Sequence, residues 1–220
     1  MKLSVILFSF FILSACGTAG EGNKREPRRV VPVALNIETR NNSELNFINM
    51  DFYRLKLLDQ LENFQSVDFT LVEPDEEPEV VLNLNIDNFV LWPRDERVSR
   101  RILTRVVQTG TDANGKPVYQ TVRASVDVIH VQQRSNARMI VDLNIKGTPG
   151  KTYKRSYSPS YNYAKVFVDN IQGDSRAVDP SLYFSRGPAF EPETIDFLLT
   201  LSGEMVQNVS LQLRSYYRNQ

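Results

Sequence analysis

Pro78-Glu79-Val80-Val81-Leu82-Asn83-Leu84-Asn85-Ile86-Asp87 is the stretch that decides the fold. In an extended chain Leu82, Leu84 and Ile86 fall on one side and Asn83, Asn85 and Asp87 on the other. A period of two predicts a strand in a sheet with one packed face and one wet face. Immediately upstream, Pro74-Asp75-Glu76-Glu77-Pro78 is a charged turn closed by prolines, which cannot donate to a ladder. Val67 to Glu73, before it, reads as strand. Further back, Ile48, Phe52, Leu55, Leu58, Leu61 and Gln65 recur every three to four residues. That spacing predicts an amphipathic helix over about 45–65, with an N-cap offered by Asn41-Asn42-Ser43 and Glu44 nearby. Val30 to Ile37 is the opening strand, with Pro32 near its start, where proline is tolerated.

Downstream, Val98 to Thr109 and Val118 to Gln132 read as long strands around Asp112-Ala113-Asn114-Gly115-Lys116, a hairpin loop built on Asn-Gly. Ser135-Asn136 is expected to turn the chain into a further strand, Met139 to Lys146. Residues 147–190 are less regular and rich in Gly, Pro, Ser and Tyr. From Glu193 to about Tyr217, Ile195, Leu198, Leu199, Met205, Val206, Val209 and Leu213 form one helical stripe. Pro192 suits the first turn of that helix, and Gly203 is expected to allow a close approach to the sheet. The expectation is one α+β domain over 30–220. Its single, mainly antiparallel sheet has about five to seven strands in a meander, with two amphipathic helices, about 45–65 and 193–217, on one face.

The chain has 220 residues, 41% hydrophobic and 10% aromatic, which is enough to bury a core. Its 26 basic and 26 acidic residues balance, against a nucleic-acid binder, which needs excess basic charge. One cysteine excludes a disulfide framework, and one histidine leaves little for a metal site. That cysteine ends MKLSVILFSFFILSAC, residues 1–16. Lys2 is a basic n-region, and Leu3 to Leu13 is an apolar run shorter than the roughly 20 residues a bilayer span needs.

Leu13-Ser14-Ala15-Cys16 resembles the lipobox of bacterial lipoproteins. The resemblance implies a signal peptide over 1–15, cleavage by signal peptidase II before Cys16, and a palmitate-type acylation of Cys16 as the first mature residue. Two or three chains, at about 0.8 kcal/mol per buried methylene, anchor stably. Gly17, in place of the aspartate of inner-membrane lipoproteins, implies the outer membrane, facing the periplasm. Residues 16–29 form the acylated cysteine and a polar, glycine-rich tether that spans at most about 45 Å.

Catalytic chemistry is sparse. Gly147-Thr148-Pro149-Gly150-Lys151-Thr152 has two residues between its first Gly and Gly-Lys-Thr where a phosphate-binding loop needs four, so it reads as a turn. His130 shares parity with Val122, Ala124, Val126 and Val128 and reads as a core-edge residue. Asp75-Glu76-Glu77-Glu79 reads as a solvated turn before a calcium loop. The sequence therefore predicts no catalytic residue, no metal and no cofactor, although paired carboxylates brought together only in space, as in a hydrolase, are invisible to spacing.

Two surfaces are candidates for partners. Arg100, Arg101 and Arg105 lie in a charged strand, either as solvated edge protection or as a docking surface for an acidic partner. Tyr153, Tyr157, Tyr161 and Tyr163, interleaved with Lys154, Arg155 and Asn162, suit contacts with glycan or protein, or a cover over the sheet.

The order strand, helix, strand, turn, then Pro78-Glu79-Val80-Val81-Leu82, resembles an envelope module seen in the TolB amino-terminal domain and in the CsgG, LptE and LpoB lipoproteins. It implies an envelope protein at the level of topology, which does not by itself assign function. Channel-forming CsgG inserts hairpins into lipid. Here Arg101 and Arg105 share one strand face and Arg100 lies on the other, and a midplane arginine costs about 2–4 kcal/mol. No pore is expected. The expected function is a non-enzymatic accessory or assembly subunit of an envelope complex, with protein partners that include its own copies. The alternative is a lipoprotein that presents glycan or peptide.

Overall fold

Proline placement and strand offset set this architecture. A computed structural model describes residues 28–40, 44–63, 65–147, 152–184 and 191–218. Its sheet contains seven strands: β1 (Val30–Arg40), β2 (Asp68–Leu71), β3 (Val80–Leu91), β4 (Asp95–Thr111), β5 (Pro117–Ile145), β6 (Tyr153–Tyr157) and β7 (Ser160–Gly173). Its helices are α1 (Met50–Glu62), α2 (Pro180–Phe184) and α3 (Thr194–Tyr217), with 3-10 turns at Glu44–Phe47 and Ser175–Ala177. The fold is α+β, and the sheet is mixed: β1 runs parallel to both β2 and β3.

The parallel pairs replace the expected meander, and the register shows why. β2 pairs with residues 30–33 of β1, whereas β3 pairs with residues 33–40 on the other side. The end of β2 and the start of β3 are therefore level with Val33, and residues 72–79 need only cross β1 there. Val72 N–H donates to the Val33 carbonyl at 3.0 Å and Glu79 N–H to the Pro32 carbonyl at 2.9 Å. In an extended strand the N–H and C=O of one residue share a side, so the donor that Pro32 lacks would have faced the side where β3 has not yet begun.

β5 is a single strand of 29 residues, and the turn expected at Ser135-Asn136 does not occur. Ser135 is 1% exposed and pairs with Leu91 on one side and Tyr161 on the other. The breaks fall in the flanking lines instead, at Pro93 between β3 and β4 and at Pro159 between β6 and β7. A proline cannot donate to a ladder, so those lines part while β5 continues. β6 and β7 are also strands where an irregular region is expected; they pair with residues 139–143 and 124–136 of β5.

The main core lies between the sheet and α1 with α3. Leu82, Leu84 and Ile86 of β3 and Met139, Val141 and Leu143 of β5 face Leu57, Leu61, Leu198 and Met205. The expected α3 stripe is buried except that Ile195 and Leu199 are only partly so, and Phe197, Leu201 and Tyr217 join it. Pro192 precedes the N-cap Glu193, whose N–H donates to the Asp196 carboxylate at 2.8 Å. α1 begins later than expected, capped by Asn49, which accepts from Phe52 N–H at 3.0 Å. Residues 41–43 are outside the described residues. The buried side of α1 is Tyr53, Leu57, Leu58 and Leu61, while Phe52 and Leu55 are exposed. Tyr53 decides this rotation: its hydroxyl shares a 2.5 Å hydrogen bond with Ser202 of α3, inside the core. Gly203 faces outward with nothing within 4 Å of its Cβ position, so it makes no close approach to the sheet.

Candidate interaction surface

Beyond the helices, β4, the first half of β5 and β7 continue as a three-stranded arm. Its hairpin tip is held by Asp112, whose Oδ1 accepts from Asn114 N–H at 2.9 Å and Lys116 N–H at 2.8 Å. Gly115 supplies the positive φ of +75° that this turn needs. The arm has a small core of its own. Even-numbered Val122, Ala124 and Val126 of β5 pack with Val168 of β7 beneath Ala177 and Val178. In the second half of β5 the odd-numbered residues are buried, so the two cores lie on opposite faces of one strand. Gly173 allows the arm to close: a Cβ there would stand 2.8 Å from the Arg123 carbonyl oxygen, and φ is +107°.

β4 pairs with β5 alone among the described residues, which leaves the outer edge of 17 residues, about 55 Å, open. No residue of β4 is buried. One face carries Val98, Ile102 and Val106, which are 59%, 75% and 62% exposed. Arg100 stands among them and donates to Ser125 Oγ at 3.0 Å and Gln172 Oε1 at 2.6 Å, with Asp127 at 3.6 Å. Arg101 and Arg105 occupy the opposite face, level with Val126 and Val122, and both are exposed. Neither makes an ion pair among the described residues. Arg105 is near enough to Asp179 to help hold that carboxyl below its usual range, after the hydrogen bonds it receives from Ser181. Residues 94–132 contain seven basic and four acidic side chains.

The tyrosines of β6 and β7 lie on the helix-facing side of the sheet. Tyr157 is buried in the main core, and Tyr153, Tyr161 and Tyr163 pack against it. The Tyr161 and Tyr163 rings stand 5.8 and 6.2 Å from Phe197 of α3. The Tyr153 and Tyr157 hydroxyls hydrogen bond at 2.6 Å, and burial pushes the Tyr157 phenol pKa up. Strand period explains the arrangement: 153, 157, 161 and 163 all fall on the helix-facing side, with Lys154 and Asn162 on the other. The exposed apolar row of β4 is the surface that sequence reasoning missed, although Val98, Ile102 and Val106 already recur every four residues with even parity.

The start of the domain is fixed at the far end of the sheet from the hairpin tip. Arg29 reaches the Glu79 carboxylate at 2.6 Å, and the Tyr217 hydroxyl donates to the same carboxylate at 2.9 Å. Arg28 pairs with Asp68 at 3.5 Å. Cys16 and Leu13, Ser14 and Ala15 lie outside the described residues, as do residues 148–151 of the glycine-rich turn. The acidic loop is engaged locally, with Glu77 3.5 Å from Lys146 and Glu76 accepting from Glu73 N–H. No group of three or more metal-ligating side chains occurs among the described residues. His130 is exposed at the end of its strand face, opposite Arg97 and Val166. No helix among the described residues is long and apolar enough to cross a membrane.

One concavity lies on the wet face of the sheet, away from the helices. Asn36, Asn83, Asp142 and Lys154 form a single cross-strand row over four strands, and Asn36 donates to Asn83 at 2.8 Å. They line a depression of about 320 Å³.

The molecule is thus an α+β domain with a projecting, open-edged arm. No protein-family model and no curated protein matches the chain. Among solved structures, it is similar to a neuraminyllactose-binding hemagglutinin homolog from Helicobacter pylori, at 12% identity and a TM-score of 0.32, over 87% of this chain and 88% of that one.

Proposed function

We propose that the protein is an outer-membrane lipoprotein, anchored through Cys16 on the periplasmic side, that serves as a non-enzymatic accessory or assembly subunit of an envelope complex. The observation that carries this reading is the division of the molecule. The tether enters beside Arg29, Glu79 and Tyr217, and the exposed arm lies at the other end of β5. Twenty-nine extended residues span up to about 95 Å, so an anchor at one end would hold the arm away from the lipid. Cys16→Ala should abolish incorporation of labelled palmitate and leave precursor outside the outer-membrane fraction. Acylation and sedimentation unchanged by that substitution would overturn the anchor. A photo-crosslinking residue at Ile102 should give discrete protein adducts in intact cells, and a residue at Thr39 should not.

The second reading, a lipoprotein that presents glycan or peptide, is favoured by the polar row Asn36, Asn83, Asp142 and Lys154. Its donors and acceptors face solvent on a rigid sheet, as a polyhydroxylated or amide ligand requires. Asp142→Ala should then remove calorimetrically measured binding to an oligosaccharide panel. No binding by the unaltered protein would end that reading.

A further inference from the structure

We infer that the open edge of β4 accepts an extended acidic segment of a partner protein as an added strand. This deepens the reading of the arm as the partner surface and rests on it. Among the described residues no strand pairs with this edge over the 17 residues of β4, which meets the requirement for strand addition. Side-chain parity then specifies the occupant. An added strand places alternate residues on the two faces of the arm. On one face it meets Arg101 and Arg105, four residues apart, exposed and without an ion-pair partner among the described residues. On the other it meets Val98, Ile102 and Val106, also four apart and exposed. The complementary strand carries acidic residues at i and i+4, and β-branched or other apolar residues at positions of the opposite parity.

Charge also decides between a different partner and a second copy. An antiparallel pairing of β4 with its own copy, centred on Leu103, would set Arg101 directly opposite Arg105 in both directions. Like charges in cross-strand pairs are unfavourable, and the seven basic against four acidic residues of 94–132 add to the repulsion. An acidic strand removes that repulsion, and its attraction weakens with salt.

The test uses the full-length protein in detergent and a labelled peptide, Val-Glu-Thr-Thr-Ile-Glu-Thr-Thr-Val, read by fluorescence anisotropy. It should bind, while the version with lysine for both glutamates should bind at least tenfold more weakly. N-methylation of alternate peptide amides should abolish binding, and hydrogen exchange should slow in β4. The Arg101→Ser, Arg105→Ser double variant, with unchanged melting, should lose the preference for glutamate over lysine. Equal affinity for both peptides, protection elsewhere, or no binding would overturn strand addition. Disulfide dimers from Leu103→Cys at high yield would instead make the occupant a second copy. If the peptide fails while the Ile102 photo-crosslink still gives protein adducts, only strand addition falls. If both fail, the reading of the arm falls with it.

Discussion

The two halves of β5 have the same backbone and nearly the same residue types, yet they live in different structures. Residues 137–143 place their odd side chains against α1 and α3, in a core that includes Leu57, Leu198 and Met205 at 0–1% exposure. Residues 122–126 place their even side chains under a 3-10 turn and a five-residue helix. The body is held by burial over two long helices, whereas the arm depends on a thin cover and tight backbone contacts. Local stability follows local burial, so the arm should open well before the body does.

The largest expected effect tests the body. Leu198→Ala removes a side chain with no exposure from the centre of the helix–sheet core, and should cost about 2–5 kcal/mol. Calorimetry should record a fall in Tm of several degrees. Next is Gly173→Ala in the arm, where positive φ and the Arg123 carbonyl both oppose a Cβ. A loss of about 2 kcal/mol is expected. It should show as faster hydrogen exchange in residues 95–132, with the exchange of α3 unchanged; uniform acceleration would mean that arm and body unfold as one unit.

A third prediction concerns pH. Burial pushes the Tyr53 phenol pKa well above its ordinary value near 10, with the Ser202 hydrogen bond opposing in part. The folded state therefore keeps a proton that the unfolded chain releases, so stability is intact below pH 10 and declines as pH rises above it. The slope approaches about 1.4 kcal/mol per pH unit per group. Tyr53→Phe should cost about 1 kcal/mol at neutral pH by losing one hydrogen bond and should flatten the alkaline decline. An unaltered slope in urea titrations at pH 9–11 would assign the decline to other groups, such as Tyr157 and Tyr217, whose pKa values are also raised.

The smallest effect belongs to the open face. Ile102→Ser replaces a side chain that is 75% exposed and should change stability by less than about 0.5 kcal/mol. A clear loss of Tm would show that the apolar row of β4 is covered within the molecule, and the distinction between supported body and open arm would narrow.

Much of the architecture was legible because local rules and tertiary demands agree. The alternation at Leu82–Ile86, the Asn114-Gly115 turn and the helix ending near Tyr217 read directly from period and turn chemistry. The basic residues of β4 were also visible as a candidate surface, including the separation of Arg100 from Arg101 and Arg105. The buried face of α1 was not, because Phe52 and Leu55 fit a helical stripe as well as Tyr53 and Leu57 do. The Ser202 hydroxyl that selects Tyr53 is 149 residues away. The tyrosines of 153–163 likewise suit either a partner contact or a cover over the sheet, and the packing of Tyr161 and Tyr163 on Phe197 is visible only in the fold.

Sequence alone therefore determined the α+β class, the alternating strand at Leu82–Ile86, the Asn114-Gly115 hairpin and the course of the last helix, because those properties depend on dihedral preference and periodicity within a few residues. Tertiary structure decided which strands run parallel, that β5 passes through Ser135-Asn136 without turning, and which apolar residues remain outside. Those outcomes depend on strand offset and on the reach of α1 and α3. A helix layer covers only the sheet it lies upon, and the arm extends beyond it.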